Sequence, residues 1–140
     1  MSEDLSKRPL RWGICGSGNI ASDFVNALQS FPTDQHVVHA VGDMERFKEN
    51  AEKFGAEFGI PTVYSSFEAL ADDPLVDVAY VGVVNTMHFP VASLLLRKKK
   101  NVIVEKPLSC CSRLVEELIA LAKENDVFFM EVHIYVDCCT

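Results

Sequence analysis

The sequence predicts an α/β fold built on a doubly wound parallel sheet. Strand-like and helix-like patterns alternate along its 140 residues, which is typical of parallel strands joined by crossover helices. One strand-like run, residues 76–84, is apolar at nearly every position, as expected for a strand that helices cover on both faces. A glycine-rich turn directly follows the first strand-like run. Because crossover connections are right-handed, these elements are expected to wind into one sheet with helices on both sides.

The predicted elements of the first half are a strand at 10–15, a helix at 19–29, a strand at 36–42, a helix at 45–58, a short strand at 63–64 and a helix at 67–71. The first helix carries apolar residues at helical spacing, namely Ile20, Phe24, Ala27 and Leu28. The second helix has an equivalent stripe of Phe47, Ala51, Phe54 and Phe58. Ser66 is expected to cap the short helix, which Pro74 then closes off.

The second half predicts a strand at 76–84, a helix at 89–97, a strand at 102–104, a helix at 113–125 and a strand at 127–136. Pro90 is expected in the first turn of its helix, where a missing backbone N–H is tolerated. The inward face of the last helix is predicted to consist of Leu114, Leu118, Ile119 and Leu121 or Ala122. The chain then divides into a polar N-terminal extension at 1–9, a domain at 10–131 and a C-terminal tail at 132–140.

Composition and charge restrict the class of protein. Hydrophobic residues make up 49% of the chain and charged residues 24%, which is ordinary for a globular domain. The net charge of −7 disfavours nucleic acid as a partner, since proteins that bind it normally present a basic face. No segment has the length of a membrane span and residues 1–9 lack a signal-peptide core, so we expect a cytoplasmic protein with no membrane partner. The five cysteines lack metal-binding spacing, so neither a metal site nor a disulfide framework is expected.

The glycine-rich turn predicts a binding site for a dinucleotide. Gly16 allows a tight turn after the first strand, and Gly18 allows the backbone to approach a pyrophosphate closely. Ala21 allows the next helix to pack against that strand. The N-terminus of this helix offers free N–H groups and the positive end of its dipole to phosphates. Two alternatives stay open. The turn can be an ordinary strand–turn–helix connection, or it can be the similar turn with which methyltransferases bind an adenosyl cofactor.

Asp43 and Arg46 follow the second predicted strand and bear on the choice of cofactor. A carboxylate at the position of Asp43 can accept hydrogen bonds from the adenosine ribose, and it would repel the 2′-phosphate of NADP. Arg46 lies within one helical turn and can oppose this repulsion by pairing with a phosphate. Two alternatives stay open, because Asp43 is also suited to cap the following helix and Arg46 to lie on the surface.

Four further polar residues lie where the later strands end. Asn85 can cap the helix after the fourth strand, and His88 can either face the cofactor or bond to the backbone at the helix start. Glu105, Lys106 and Pro107 follow the fifth strand, and Pro107 favours extended geometry at Lys106. A partly buried ammonium at Lys106 can donate to a substrate oxygen and assist proton transfer, whereas a surface lysine is the alternative. Because the carboxyl ends of parallel strands meet at one edge, these residues and the glycine turn predict one site.

Together the motifs resemble the glucose–fructose oxidoreductase/inositol dehydrogenase/rhizopine catabolism (Gfo/Idh/MocA) family. The matching blocks, in the order and spacing of the family, are Arg11-Trp12-Gly13-Ile14 with Gly16-x-Gly18-x-Ile20-Ala21, Asn85-x-x-His88, and Glu105-Lys106-Pro107. Further segments are similar to the dimeric dihydrodiol dehydrogenases within that family, namely Ser22-Asp23-Phe24, Val78-Ala79-Tyr80-Val81-Gly82 and Phe129-Met130-Glu131. The resemblance covers residues 10–131.

The resemblance implies a Rossmann nucleotide-binding domain of an oxidoreductase that uses NADP or NAD. Hydride would pass between the nicotinamide and a hydroxyl carbon of a trans-dihydrodiol or of a sugar such as D-xylose. The implied site residues are Gly16, Gly18, Asn19 and Ile20 at the pyrophosphate, Asn85 and His88 at the nicotinamide half, Glu105 at the nicotinamide ribose and Lys106 as the catalytic lysine. Arg46 matches a basic position of NADP-using relatives, whereas Gly42 stands where those relatives carry Arg.

The resemblance also implies a part that this sequence lacks. Family members continue into a second α/β domain, which supplies the substrate pocket and the interface of a homodimer, and here the likeness fades after Glu131. The sequence is therefore expected to be a truncated form without its usual second domain. A non-catalytic nucleotide-binding module is the alternative to an active enzyme.

Overall fold

The computed structural model describes residues 4–132. The strands are β1 (Leu10–Cys15), β2 (His36–Gly42), β3 (Thr62–Tyr64), β4 (Val78–Val81), β5 (Asn101–Glu105) and β6 (Phe129–Val132). The α-helices are α1 (Asn19–Gln29), α2 (Lys48–Phe58), α3 (Phe67–Asp72), α4 (Asn85–Arg97) and α5 (Ser112–Glu124). Within the described residues the strands form one parallel sheet in the order β3-β2-β1-β4-β5-β6. The predicted doubly wound sheet is thereby confirmed, because the chain winds outward in both directions from its centre.

Helices cover both faces of this sheet, and successive strand residues alternate between them. Val78 and Tyr80 pack in a core cluster with residues of α1 and α2. Ala79 and Val81 pack in a second cluster with residues of α3, α4 and α5. Since both faces are buried, the central strands need apolar side chains at nearly every position, which explains the continuous run seen in the sequence.

Helix α4 begins four residues earlier than the sequence predicted. The prediction placed Pro90 in the first turn of a helix at 89–97, whereas the helix begins at Asn85 and Pro90 lies inside it. Pro90 lacks the N–H that would bond to the Thr86 carbonyl oxygen. Because Thr86 is exposed, water can take the place of that donor. A proline at this position therefore does not mark the start of the helix.

Two other helix predictions were wrong in detail. The predicted helix at 45–58 is divided into a 3-10 helix (Glu45–Phe47) and α2. Ile119 was predicted to face inward, but 41% of its surface is exposed. The reason is that α5 packs mainly against α4 and buries only the stripe of Leu118 and Ala122.

The last predicted strand is observed from residue 129 to residue 132, and its predicted extension to residue 136 lies outside the described residues.

An ion-pair cluster joins the starts of β1 and β4, at the edge of the sheet opposite the predicted site. The Asp77 carboxylate accepts two hydrogen bonds from the Arg8 guanidinium, at 2.7 and 3.0 Å, and two from that of Arg11, both at 3.1 Å. Although burial opposes ionisation, the bonds from Arg8 and Arg11 hold the pKa of Asp77 well below its ordinary value. Arg8, which belongs to the predicted polar extension, is thus bound to the sheet, and the domain boundaries stay predictions.

Replacing Asp77 with Ala is expected to lower the free energy of unfolding by about 3 kcal/mol at neutral pH, because both guanidinium groups lose their shared carboxylate. The pKa of Asp77 is lower in the folded than in the unfolded chain, so its contribution is present above about pH 4 and is lost as the pH falls towards the folded-state pKa. Urea unfolding of wild type and variant at neutral pH and at about pH 3 measures both effects.

The matched control is Glu117→Ala, which removes an exposed ion pair with Arg113 on α5. Its effect on the free energy of unfolding is expected to stay below about 0.5 kcal/mol. Equal losses for the Asp77 and Glu117 variants, or a loss at Asp77 that does not shrink at acid pH, would contradict the role of the cluster.

Candidate functional site

The loops after β1 and β4 diverge at the centre of the sheet. β1 leads through α1 to β2 on one side, and β4 leads through α4 to β5 on the other side. In open parallel sheets such a divergence leaves a crevice at the carboxyl ends of the strands. Here a groove of about 220 Å³, which we call the glycine groove, is lined by Gly16, Ser17, Gly18, Asp43, Met44, Arg46, Phe47, Asn50, Gly82, Val83 and Val84. The fold therefore brings the glycine turn, Asp43 and Arg46 together, as the sequence predicted.

The two glycines of the turn are required for different reasons. Gly16 has a φ of 102°, and a Cβ atom there would lie 2.6 Å from the Gly82 carbonyl oxygen, so both backbone conformation and space exclude a side chain. Gly18 has an extended backbone with a φ of −89° and a ψ of −173°. Among the described residues, no atom would lie within 4 Å of a Cβ atom on Gly18. Gly16 therefore serves the turn itself, while Gly18 leaves open space at the groove.

The N-terminus of α1 opens at the same place. Gly18 is its N-cap, and no side chain caps the helix there. The first N–H groups of a helix lack partners within the helix, and they carry the positive end of its dipole. Asn19 and Ile20 occupy the first two positions of α1. Open space at Gly18 next to these N–H groups is the geometry that the glycine motif requires, and the binding of a pyrophosphate there stays a prediction.

Asp43 connects the glycine turn to the end of β2. It is 6% exposed. Its Oδ2 accepts hydrogen bonds from the Ser17 backbone N–H at 3.0 Å and from the Ser17 hydroxyl at 2.6 Å, and its Oδ1 accepts one from the Met44 N–H at 2.8 Å. The helix-capping alternative is wrong, because Met44 is the N-cap of the following 3-10 helix and no side chain caps it. The carboxylate instead holds the turn in shape, and its contact with a ribose stays a prediction.

Of the two charged residues that line the glycine groove, Asp43 is buried and Arg46 is exposed to solvent. Its side chain is exposed and lines the glycine groove, and its guanidinium carbon lies 4.8 Å from the centre of the Phe47 ring. A cation above an aromatic face is weakly held, so it stays available to a ligand. The positive charge at this end of the groove is therefore accessible, while the negative charge of Asp43 is turned inward.

Asn85 and His88 lie in the first turn of α4. Asn85 is not the helix cap that the sequence predicted, and His88 bonds to the backbone, which is one of its two predicted placements. Asn85 is exposed and is the first helical residue, so it does not cap the helix, whose N-cap is Val84. His88 is 1% exposed. Both of its ring nitrogens face backbone carbonyl oxygens, which corresponds to the alternative that the histidine bonds to the backbone. The contact of either residue with a nicotinamide stays a prediction.

Glu105 lies at the end of β5 and is held below the surface. It is 5% exposed, and the Tyr80 hydroxyl donates to its Oε1 at 2.7 Å. Burial, reinforced by the negative Glu105, raises the pKa of Tyr80, so that hydroxyl remains a donor. The Tyr80 ring stacks on Phe24 with centroids 3.8 Å apart, and a Cβ atom at Gly82 would lie 2.6 Å from its Cε1 atom. The interior of the fold thus fixes the start of the loop that carries Lys106.

The backbone of Lys106 is held by a hydrogen bond, and its side chain is exposed. Its N–H donates to the Val132 carbonyl oxygen at 3.2 Å. Two residues further along, the Leu108 N–H donates to Glu131 Oε2 at 2.7 Å. The peptide bond between Lys106 and Pro107 is cis. The side chain of Lys106 is exposed, so the predicted partial burial of its ammonium is wrong: the described residues do not enclose the edge at which it lies.

Three residues of this region were missed in the sequence. Ser17 binds Asp43, Tyr80 binds Glu105, and Glu131 binds the loop after Pro107. Each bond joins positions at least 23 residues apart, so no local pattern reveals it. The position of Ser17 between the two glycines of the motif is a signal that its polar side chain belongs to the turn.

Among residues 4–132, no helix is both long enough and apolar enough to cross a bilayer. In the same part of the chain, histidine, cysteine, aspartate and glutamate side chains form no group of three or more with a metal-binding arrangement.

Known proteins are similar to this chain in both sequence and fold. A family model described as an oxidoreductase family with an NAD-binding Rossmann fold matches residues 10–133. The trans-1,2-dihydrobenzene-1,2-diol dehydrogenase of Danio rerio is 44% identical over 122 residues, and the protein of that name from Homo sapiens is 42% identical over 124 residues. Each match covers 87% of this chain and 36% of the relative, so the chain spans about a third of the length of these curated relatives.

A solved structure supports the same assignment. The 3-ketoreductase KijD10 from Actinomadura kijaniata, in complex with NADP and TDP-benzene, superimposes with a TM-score of 0.80 at 31% identity, covering 89% of this chain and 37% of that one. The family match agrees with the order of the strands and with the glycine turn, which lies where the strand order diverges at the centre of the sheet. This chain belongs to the Gfo/Idh/MocA oxidoreductase family and has the NAD-binding Rossmann fold of that family.

Proposed function

We propose that this chain is the dinucleotide-binding part of an NADP-dependent dehydrogenase that oxidises a hydroxyl group of a trans-dihydrodiol or of a sugar such as D-xylose. The observation that carries the proposal is the open space at Gly18 beside the uncapped start of α1. The dihydrodiol dehydrogenase relatives support the substrate class. Because the chain spans about a third of those relatives, the substrate and the turnover of the whole protein are part of the proposal.

The residues of the chain then have separate tasks. The N–H groups at the start of α1 bind the pyrophosphate, and Asp43 keeps the glycine turn in the shape that exposes them. Asn85, exposed at the start of α4, lines the nicotinamide half. The oxidised nicotinamide, when bound, supplies the acceptor for the hydride that leaves the hydroxyl carbon. Lys106 donates a hydrogen bond to the reacting oxygen and stabilises the negative charge that develops there as the hydroxyl proton passes to solvent water, which reaches this exposed side chain.

Arg46 is the basis for proposing NADP rather than NAD. Its guanidinium is exposed at the glycine groove, where a 2′-phosphate can accept bidentate hydrogen bonds. The repulsion expected from Asp43 is weakened, because its oxygens already accept bonds from Ser17 and Met44. Gly42 offers no cation, and a Cβ atom there would lie 3.1 Å from Leu70 Cδ1, so the space beside it is already filled.

Replacing Arg46 with Gln is expected to weaken the binding of NADP about tenfold and to leave the binding of NAD nearly unchanged, since only NADP carries the phosphate that the guanidinium binds. Calorimetric titration with each cofactor gives the two affinities. Lys48→Gln is the matched control, because Lys48 is an exposed cation two positions away that does not line the groove. Equal changes for both cofactors in the Arg46 variant, or an equal NADP loss in the control, would overturn the proposed role of Arg46.

A second candidate function is that of a nucleotide-binding module without turnover. The observation that favours it is the exposure of Lys106, because catalysis requires a substrate that is held in place and shielded from water. Dinucleotide binding by calorimetry, combined with a hydride-transfer assay on benzene dihydrodiol and D-xylose, separates the two. Binding with turnover supports the dehydrogenase, whereas binding without turnover supports the module as the function of this polypeptide.

A further inference from the structure

His88 connects two loops of the site through its imidazole ring. Its Nδ1 lies 2.7 Å from the Pro107 carbonyl oxygen, and its Nε2 lies 2.9 Å from the Val83 carbonyl oxygen. The residue is 1% exposed, so water does not compete for these contacts. Both partners are backbone atoms, so the ring is held by the course of the chain rather than by other side chains.

The two loops have different functions. Val83 follows β4 and lines the glycine groove. Pro107 follows β5 and directly succeeds Lys106, whose side chain is exposed at the same edge of the sheet. β4 and β5 are neighbours in the sheet, so one ring can span the gap between the loops that follow them. The ring thus joins the wall of the proposed cofactor site to the peptide that carries the proposed catalytic lysine.

We propose that His88 is a positioning residue: by holding both carbonyl groups, it sets the position of the Lys106 backbone relative to the glycine groove. The proposal rests on the proposed function insofar as Lys106 acts on the substrate. It replaces the expectation that the His88 ring touches the nicotinamide, because both ring nitrogens are engaged by the backbone. Since a carbonyl oxygen only accepts, each bond requires a proton on its own ring nitrogen: Nδ1–H donates to Pro107 and Nε2–H donates to Val83.

Two substitutions separate the two bonds. The amide nitrogen of Asn lies about as far from the backbone as Nδ1, so His88→Asn can retain the bond to Pro107 but cannot reach Val83. Gln is one methylene longer and its amide nitrogen corresponds to Nε2, so His88→Gln can retain the bond to Val83 and loses the one to Pro107. Ser93→Ala is the matched control, since Ser93 is also buried in α4 and its hydroxyl has no hydrogen-bond partner.

The measurement is hydrogen exchange of the Leu108 amide in the free chain, read by NMR. This amide donates to Glu131 Oε2 and therefore reports opening of the loop next to Lys106. We expect exchange at Leu108 to rise about tenfold in His88→Gln and to remain near the wild-type rate in His88→Asn and Ser93→Ala. Amides in the core of β1 should exchange equally in all of these, which distinguishes positioning from a general loss of stability. The ring ¹⁵N shifts of the wild type should show protons on both Nδ1 and Nε2.

Unchanged exchange at Leu108 in His88→Gln, equal increases in the Gln and Asn variants, or a ring nitrogen without a proton would overturn the proposal. These readings need no cofactor and no turnover. Calorimetric titration of the same wild-type sample with NADP tests the proposed function separately, so its failure leaves the exchange result interpretable. Where NADP binds, it should shift the amide signals of Lys106 and Leu108 in the wild type and in His88→Asn but not in His88→Gln.

Discussion

Gly18→Val is expected to weaken dinucleotide binding by about 100-fold or more, which corresponds to at least about 2.7 kcal/mol. The branched side chain would occupy the space in which the pyrophosphate approaches the start of α1. Residues 4–132 do not fill that space, because none of their atoms lies within 4 Å of a Cβ atom on Gly18. Its extended backbone also suits valine. Since Gly18 is the N-cap of α1 and valine is a poorer N-cap than glycine, the variant should lose about 1 kcal/mol of stability and remain folded, while the larger loss should appear in binding.

Calorimetric titration with NADP and NAD gives the affinities, and thermal unfolding confirms that the variant is folded. Gly16→Val is the contrasting control. It should destabilise the fold, because Gly16 has a positive φ and its Cβ atom would lie 2.6 Å from the Gly82 carbonyl oxygen. If Gly18→Val bound both cofactors with unchanged affinity, the pyrophosphate would not lie at this turn.

Lys106→Met is expected to lower kcat by on the order of 10²–10⁴ while leaving the cofactor affinity nearly unchanged. In the proposed function the ammonium interacts with the substrate oxygen as charge develops there, and it contributes little to the binding of the cofactor. Its backbone is anchored through bonds at Val132 and Leu108, so the substitution changes the side chain and leaves the loop in place. Because the side chain is exposed, the fold should not be destabilised.

The suitable protein for this measurement is a chimera in which residues 10–132 replace the corresponding part of the Danio rerio relative. Lys123→Met is the matched control, because Lys123 is an exposed lysine of α5 that lies away from the glycine groove. Its kcat should equal that of the unsubstituted chimera. A Lys106→Met chimera that reacts at the full rate would show that this lysine is structural.

The architecture was predictable because it depends on patterns that are local in the sequence. A strand buried on both faces leaves a continuous apolar run, as β4 does, and a helix packed on it leaves a stripe, as α1 does. The glycine turn was recognised for the same reason, since its strand, turn and helix follow one another directly. The prediction is wrong at the start of α4: Pro90 favours a helix boundary in the sequence, whereas the exposure of Thr86 makes a proline tolerable inside the helix.

The inner connections of the site were not predictable in the same way. Asp43 was interpreted through its own neighbours, yet its carboxylate binds Ser17, which lies 26 positions earlier. His88 was considered as a cofactor contact, yet it binds the carbonyl of Pro107, 19 positions later. These bonds exist because parallel strands bring the ends of distant segments to one edge of the sheet. A sequence shows which residues reach that edge, but it does not show which of them turn inward.

Binding of a nicotinamide dinucleotide in the glycine groove is tested most directly by two-dimensional amide NMR of this chain during titration with NADP. The largest signal shifts are expected at Gly16, Ser17, Gly18 and the first residues of α1, followed by Met44, Arg46 and Val83 around the groove. Amides beside Asp77, at the opposite edge of the sheet, should not move. An absence of shifts at millimolar NADP, or shifts confined to the edge that carries Asp77, would contradict the assignment of the glycine groove as the cofactor site.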